Sequence, residues 1–270
     1  MMPIAAIQMT SGPALEGNIH TARRLIQEAV DAGAKLVLLP EYWPLMGMHE
    51  QDKTRLANSP EAPQMTSFMS DQARRHGIYL IGGSIPLVSP ESDKVFNSTL
   101  VFDPHGDQIA RYDKIHLFGF TKGEESYEES RSILPGREPV SFDLKADTAT
   151  FKVGLSICYD LRFPELYRSF GATDLLVVPA AFTYTTGSVH WEILLRARAI
   201  ENQCYVLASG QVGHHPNGRH TWGHSMLIDP WGRIVAVLPD SEGVVVGNIE
   251  PRLMDEVRRN LPALHHRVFT

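Results

Sequence analysis

Cysteine is scarce: the 270-residue chain has two, Cys158 and Cys204. That is too few for a disulfide framework, and a reducing compartment keeps both as thiols. No run approaches the roughly eighteen consecutive apolar residues of a membrane span, and the opening MMPIAAIQMTSG lacks the basic start and long apolar stretch of a secretion signal. The expectation is a cytoplasmic protein with no membrane partner. Excess positive charge is also missing. A formal charge of −6 offers no surface built to neutralise phosphates, which argues against a nucleic-acid partner and for a small-molecule one. No Pro/Ser/Gly-rich linker interrupts the chain, so residues 1–270 read as one domain near the upper size for a single core.

What is present is a succession of apolar strands and amphipathic helices. PIAAIQM reads as a strand, and NIHTARRLIQEAVDAGA carries Ile19, Ala22, Leu25, Ile26, Ala29 and Val30 at helical period before Gly33 ends it. KLVLLPE is again a strand. PQMTSFMSDQARRHG reads as a helix and IYLIGGSIPLV as one strand, and FNSTLVFDPHGDQIARYDKIHL forms two strands about DPHGD. FKVGLSI, TDLLVVPAAF and CYVLASGQV are strands, separated by helices at PELYRSFGA and SVHWEILLRARAIENQ. HSMLIDPWGRIVAVL and GVVVGNIE add strands before a last helix, PRLMDEVRRNL. This alternation predicts a layered α/β fold. DPHGD and DPWGR are alike enough to predict two similarly placed hairpins.

Three apolar segments stop on, or run into, a reactive side chain: KLVLLPE on Glu41, RYDKIHL around Lys114, and VGLSIC on Cys158. Strand ends are where α/β sheets gather ligands and catalytic groups. A thiol becomes a nucleophile when it loses its proton, for which a carboxylate such as Glu41 is a suitable acceptor. Lys114 is suited to stabilise the thiolate and the oxyanion formed when a carbonyl is attacked, with the N–H of Tyr159 as a second donor. Cys, Glu and Lys together predict acyl transfer.

These stretches, EYW after an apolar strand, YDKIHLF, GLSICYDLRFPEL and HWEILLRARAIENQCYV, resemble the nitrilase superfamily of carbon–nitrogen hydrolases over nearly the whole chain. The resemblance implies a four-layer α-β-β-α sandwich with mixed sheets and a Glu-Lys-Cys triad at Glu41, Lys114 and Cys158. It also implies a second glutamate that positions the lysine, at Glu129 or the adjacent Glu128, and a homodimer or higher homo-oligomer formed through the sandwich face. No cofactor or metal is implied.

RARAIENQCYVLASGQVGHH and WGHSMLIDPWG are most similar to the branch that hydrolyses small carboxylated amides, deaminated glutathione above all, to a carboxylate and ammonia through a thioester. ω-Amidases acting on α-ketoglutaramate and α-ketosuccinamate share much of the pattern. Nitrilases and N-carbamoyl amino acid hydrolases use the same nucleophile, and a non-catalytic scaffold would lack a triad residue, whereas none is missing. A carboxylated substrate calls for a cation, and Arg162 matches a position that contacts carboxylates in related carbamoyl amidases. Thr185 or Thr186 in FTYTTG lines the same pocket in this reading.

Other chemistry-bearing residues read as structural. Asp160 is expected to hydrogen-bond beneath the nucleophile turn, and Cys204 to be a buried apolar group. His214, His215, His220 and His224 crowd HHPNGRHTWGH, but the PNG turn places them on an exposed hairpin and regular zinc spacing is missing. In HWEILLRARAIE the buried stripe is expected at Trp191, Leu194, Leu195 and Ala199.

Overall fold

Alternation along β1 (Met2–Gln8) sets the layers: Ile4 and Ala6 enter a core shared with a second sheet, whereas Ala5 and Ile7 face the core under α1 (Leu15–Asp31). The computed structural model describes residues 1–123, 125–146 and 149–268. After α1 come β2 (Leu36–Leu38), α2 (Asp52–Ala57), α3 (Ala62–His76), β3 (Tyr79–Ile81), β4 (Ile85–Val88), β5 (Val95–Phe102) and β6 (Gln108–Asp113). Strands β1, β2 and β3 are parallel, and β5 runs antiparallel to β3 while also pairing with β4 and β6. Leu25, Ile26 and Ala29 of α1 and Phe68 and Met69 of α3 cover the outer face. Each of these side chains larger than alanine contributes roughly 1.5–3 kcal/mol by leaving water.

A small hairpin, β7 (Gly119–Lys122) and β8 (Glu125–Glu128), leads to the second sheet. Its strands are β9 (Ser141–Lys145) and β10 (Thr150–Leu155), then, after α4 (Pro164–Ser169), β11 (Leu175–Ala180), and, after α5 (Tyr184–Asn202), β12 (Tyr205–Gly210). The hairpin β13 (Val212–His214) and β14 (His220–Trp222) precedes β15 (Ser225–Ile228) and β16 (Ile234–Leu238), which complete the sheet. Strand β17 (Gly243–Ile249) returns to pair antiparallel with β1, and α6 (Pro251–Asn260) follows. Leu166 and Tyr167 of α4 and Trp191, Leu195 and Ala199 of α5 join the core of this sheet. The result is the α-β-β-α sandwich that the resemblance implied, and among the described residues no helix is long and apolar enough to cross a membrane.

The repeat DPHGD/DPWGR becomes one turn used twice. Asp103 Oδ1 accepts from the N–H groups of His105 and Asp107, as Asp229 Oδ1 does from Trp231 and Arg233. Gly106 and Gly232 sit at φ of 82° and 80°. Each hairpin follows a trio of parallel strands and shifts register by one residue near its turn.

Several boundaries differ from the sequence reading. IYLIGGSIPLV is two strands, broken at Gly82–Ser84. A Cβ on Gly83, at φ 53°, would lie 2.1 Å from Pro40 O, so the chain bends there to pass the end of β2. Helix α5 starts at Tyr184, four residues before the expected Ser188, because Thr183 Oγ1 accepts from Thr186 N and caps it there. On its inner face Leu194 is only half-buried, and Arg198 is buried instead, donating to Leu161 O at 2.7 and 3.1 Å. Strand β9, helix α2 and the β7–β8 hairpin were not anticipated, although SFDLK of β9 alternates polar and apolar residues and buries Phe142 and Leu144, a pattern that predicts a half-buried strand.

Candidate active site

Glu41 and Cys158 stand where strands turn sharply. Glu41 lies three residues beyond β2 and is followed by Tyr42 at φ 57°, and Cys158 lies three beyond β10 at φ 49°. Left-handed backbone at a non-glycine residue costs about 1 kcal/mol or more, and such strain clusters at functional sites. Lys114 follows directly on β6, and its backbone N–H donates to Asn97 O at 2.9 Å.

The three side chains are buried together: Lys114 and Glu41 are 0% and 1% exposed, and Cys158 is 7% exposed. Lys114 Nζ donates to Glu41 Oε1 at 2.9 Å and to both oxygens of Glu129 at 2.8 and 3.0 Å. The second glutamate is thus Glu129, at the start of a 3-10 turn spanning Glu129–Arg131. Its neighbour Glu128 is exposed and holds Arg131 at 2.8 Å. Every carboxylate oxygen is further engaged. Asn97 Nδ2 donates to Glu41 Oε1 at 3.0 Å, and Ala181 N to Oε2 at 2.8 Å. Tyr42 Oη and Phe118 N donate to the two oxygens of Glu129, both at 2.7 Å.

This cluster sets the protonation states. Burial alone would lower the Lys114 ammonium, but Glu129 and Glu41 hold it well above the usual lysine range. Burial likewise would raise Glu129, yet Lys114 and the donors around it bring that carboxyl below its ordinary value. Two carboxylates and one ammonium leave a net charge of −1. A thiolate beside them would make −2, and burial together with Glu41 pushes the Cys158 thiol well above its ordinary value. At rest the Cys158 side chain is therefore a thiol facing a carboxylate.

Asp160 joins the two chemical segments. Its Oδ2 accepts from Tyr112 Oη at 2.7 Å and Ile157 N at 2.8 Å, and its Oδ1 accepts from His116 N at 3.0 Å with His116 Nδ1 at 2.7 Å. Tyr112 and His116 flank Lys114 two residues either way, so one buried carboxylate ties the lysine segment to the cysteine turn. The N–H of Tyr159 donates to no acceptor among the described residues.

Cys158 opens on a narrow chamber of about 20 Å³, walled by Tyr42, Phe118, Tyr127, Tyr159, Phe182 and Thr186. Thr186 lines it, whereas Thr185 lies aside, donating to Glu125 Oε2 at 2.8 Å. Arg162 stands outside the lining. Its guanidinium lies 5.7 Å from the Tyr159 ring centroid and 5.2 Å from that of Phe182, with Nη1 3.3 Å from His190 Nδ1. The histidine hairpin was expected to be exposed, but Arg219, His220 and Thr221 line the chamber. His215 is 4% exposed and spent on Ser11 O and Thr221 Oγ1, both at 2.8 Å. Sequence reasoning missed Tyr42, Asn97 and Arg219. The first adjoins Glu41 and could have been found there, but nothing in the spacing of the other two connects them to the triad.

Known proteins share this architecture. Residues 3–259 match the family described as carbon-nitrogen hydrolase. A Synechocystis protein named deaminated glutathione amidase is 43% identical, the match covering 98% of this chain and 97% of that one. The structure of the Caenorhabditis elegans NitFhit protein superimposes with a TM-score of 0.90 at 37% identity, covering 100% of this chain and 66% of that longer one. Saccharomyces cerevisiae Nit3, described as a member of branch 10 of the nitrilase superfamily, gives 0.87 at 30% identity, covering 99% and 97%.

Proposed function

The chain belongs to the carbon–nitrogen hydrolase family, an enzyme of the nitrilase superfamily acting on carbon–nitrogen bonds outside peptides, and we propose that it is a cysteine-dependent amidase whose foremost substrate is deaminated glutathione. The observation that carries the reading is the Cys158 thiol lining one chamber with Glu41 and Glu129, both of which hold the buried Lys114. The name shared by similar proteins supports the substrate.

Cys158 Sγ attacks the amide carbon as Glu41 takes the thiol proton, so no free thiolate accumulates. All three Lys114 N–H groups are held by carboxylates at rest. Protonation of Glu41 weakens its hold on Lys114 and releases positive charge toward the oxyanion, alongside the unengaged Tyr159 N–H. Glu41 then delivers the proton to the departing nitrogen, leaving a thioester. A water gives a proton to Glu41 as it attacks that thioester, the C–S bond breaks, Glu41 returns the proton to Cys158 Sγ, and the acid product departs and ionises to its carboxylate.

The departing group depends on the amide. Ammonia, expected from the sequence, applies to primary amides. In deaminated glutathione the scissile nitrogen belongs to cysteinylglycine, which leaves as an amine. The test is a panel with separate readouts: primary-amine release from deaminated glutathione and ammonia release from α-ketoglutaramate. A higher kcat/KM for the former is expected. Preference for α-ketoglutaramate makes the protein an ω-amidase, and turnover of neither overturns the reading.

A further inference from the structure

The chamber holds an arginine whose charge no carboxylate among the described residues answers. Arg219 lines both the chamber and an adjoining outer vestibule, and Tyr42 and Tyr127 are the other residues common to the two, so these three side chains form the throat between them. The guanidinium lies 4.9 Å from the centroid of the Tyr127 ring, with Nη1 3.9 Å from Met46 Sδ, and it meets no carboxylate among the described residues. Its backbone is fixed on the β13–β14 turn. Arg219 N–H donates to Asn217 Oδ1 at 3.0 Å, its C=O accepts from His215 N at 2.8 Å, and Asn217 Nδ2 donates to Gly47 O at 2.7 Å. Half-buried cations are normally paired, and five donors in a fixed fork match a carboxylate.

Most of the other charged groups near the throat, among the described residues, have partners of their own. Glu41 and Glu129 are bound to Lys114, Glu125 accepts from Thr185, and Lys53 donates to Ser132 Oγ at 3.1 Å. Glu50 on the vestibule wall is exposed. The net negative charge of the triad cluster opposes an anionic substrate, so a carboxylated amide needs a cation placed away from the reacting carbon. Arg162 is not among the residues that line the chamber, and its guanidinium lies over the Tyr159 and Phe182 rings. We propose that Arg219 is the specificity-determining residue, gripping the acyl-side carboxylate of the substrate at the throat. This rests on the amidase reading above.

Two measurements separate the proposal from that reading. In the first, Cys158 is alkylated with iodoacetamide and followed by intact mass, with glutarate as protecting ligand. Glutarate protects the wild-type protein, and Arg219→Met raises the concentration needed by about 10- to 150-fold, the range for losing hydrogen bonds to a charged group. Arg219→Lys, which keeps the charge on the same turn, retains part of the protection. In the second, Arg219→Met lowers kcat/KM for glutaramate by a similar factor, mainly through KM, and changes that for uncharged valeramide by less than about twofold. Absent turnover in the wild-type protein sinks the amidase reading and leaves the protection result standing. Glutarate that fails to protect the wild-type protein, or that protects Arg219→Met equally, overturns the anchor, as does protection lost in Arg162→Met but kept in Arg219→Met.

Discussion

Cys158 carries a raised thiol pKa, with burial as the larger cause and the Glu41 charge next, while Lys114 acts in the opposite direction. At neutral pH its alkylation by iodoacetamide is therefore slow, and the rate climbs as pH rises past the ordinary thiol range of about 8.5. Replacing Glu41 with Gln removes a negative charge from beside the sulfur. The alkylation profile shifts to lower pH while amide hydrolysis is lost, because the variant ionises its thiol more readily but has no proton carrier. A profile that stays in place, or moves up, contradicts the charge balance described here. At this scale the sequence was most legible for groups that sit in dense motifs, such as Glu41 in LPEYW and Cys158 in GLSICYDLRFPEL. It was least legible for Asn97 and Arg219, whose placement depends on strand pairing and on a hairpin folding back over the site. Choosing Glu129 over Glu128 also needed the structure, because only the 3-10 turn decides which carboxylate goes inward.

Among the elements, the bends beyond the parallel strands matter more than the strands themselves. Gly83 has φ 53° and passes within van der Waals reach of Pro40 O and Leu39 O, just before Glu41. Gly83→Ala meets both an unfavourable backbone region, at about 1–2 kcal/mol, and a backbone clash that neighbouring side chains cannot relieve. The expected outcome is a lowered thermal midpoint together with reduced kcat, since the shift reaches the carboxylate. Unchanged Tm and kcat would show that the segment yields freely. Short apolar runs identified most strands and helical periodicity most helices, and the paired DPHGD and DPWGR turns anticipated the matching hairpins. IYLIGGSIPLV was read as continuous because its apolar character persists across the break, and a tertiary approach, invisible in local pattern, divides it.

For the molecule as a whole, the outward side of α5 explains what its buried stripe does not. Val189, Ile193 and Ile200 are exposed, Ile193 by 68%, and Ile200 abuts Gly232 beside the exposed Trp231. Contiguous apolar surface of this kind marks an interface, and we infer that α5 packs against a second copy of the chain. Ile193→Glu is expected to reduce the mass measured by sedimentation velocity and to leave the monomer folded. A wild-type protein that sediments as a monomer, or an unchanged assembly in the variant, would count against it. The most direct check on the chemistry itself is an acid quench of the enzyme during turnover of deaminated glutathione, followed by peptide mass mapping. The expected result is an acyl group, the substrate less its departing amine, on Cys158, with no adduct and no turnover in folded Cys158→Ala. Acylation at another residue, or normal turnover by Cys158→Ala, would contradict a thioester mechanism.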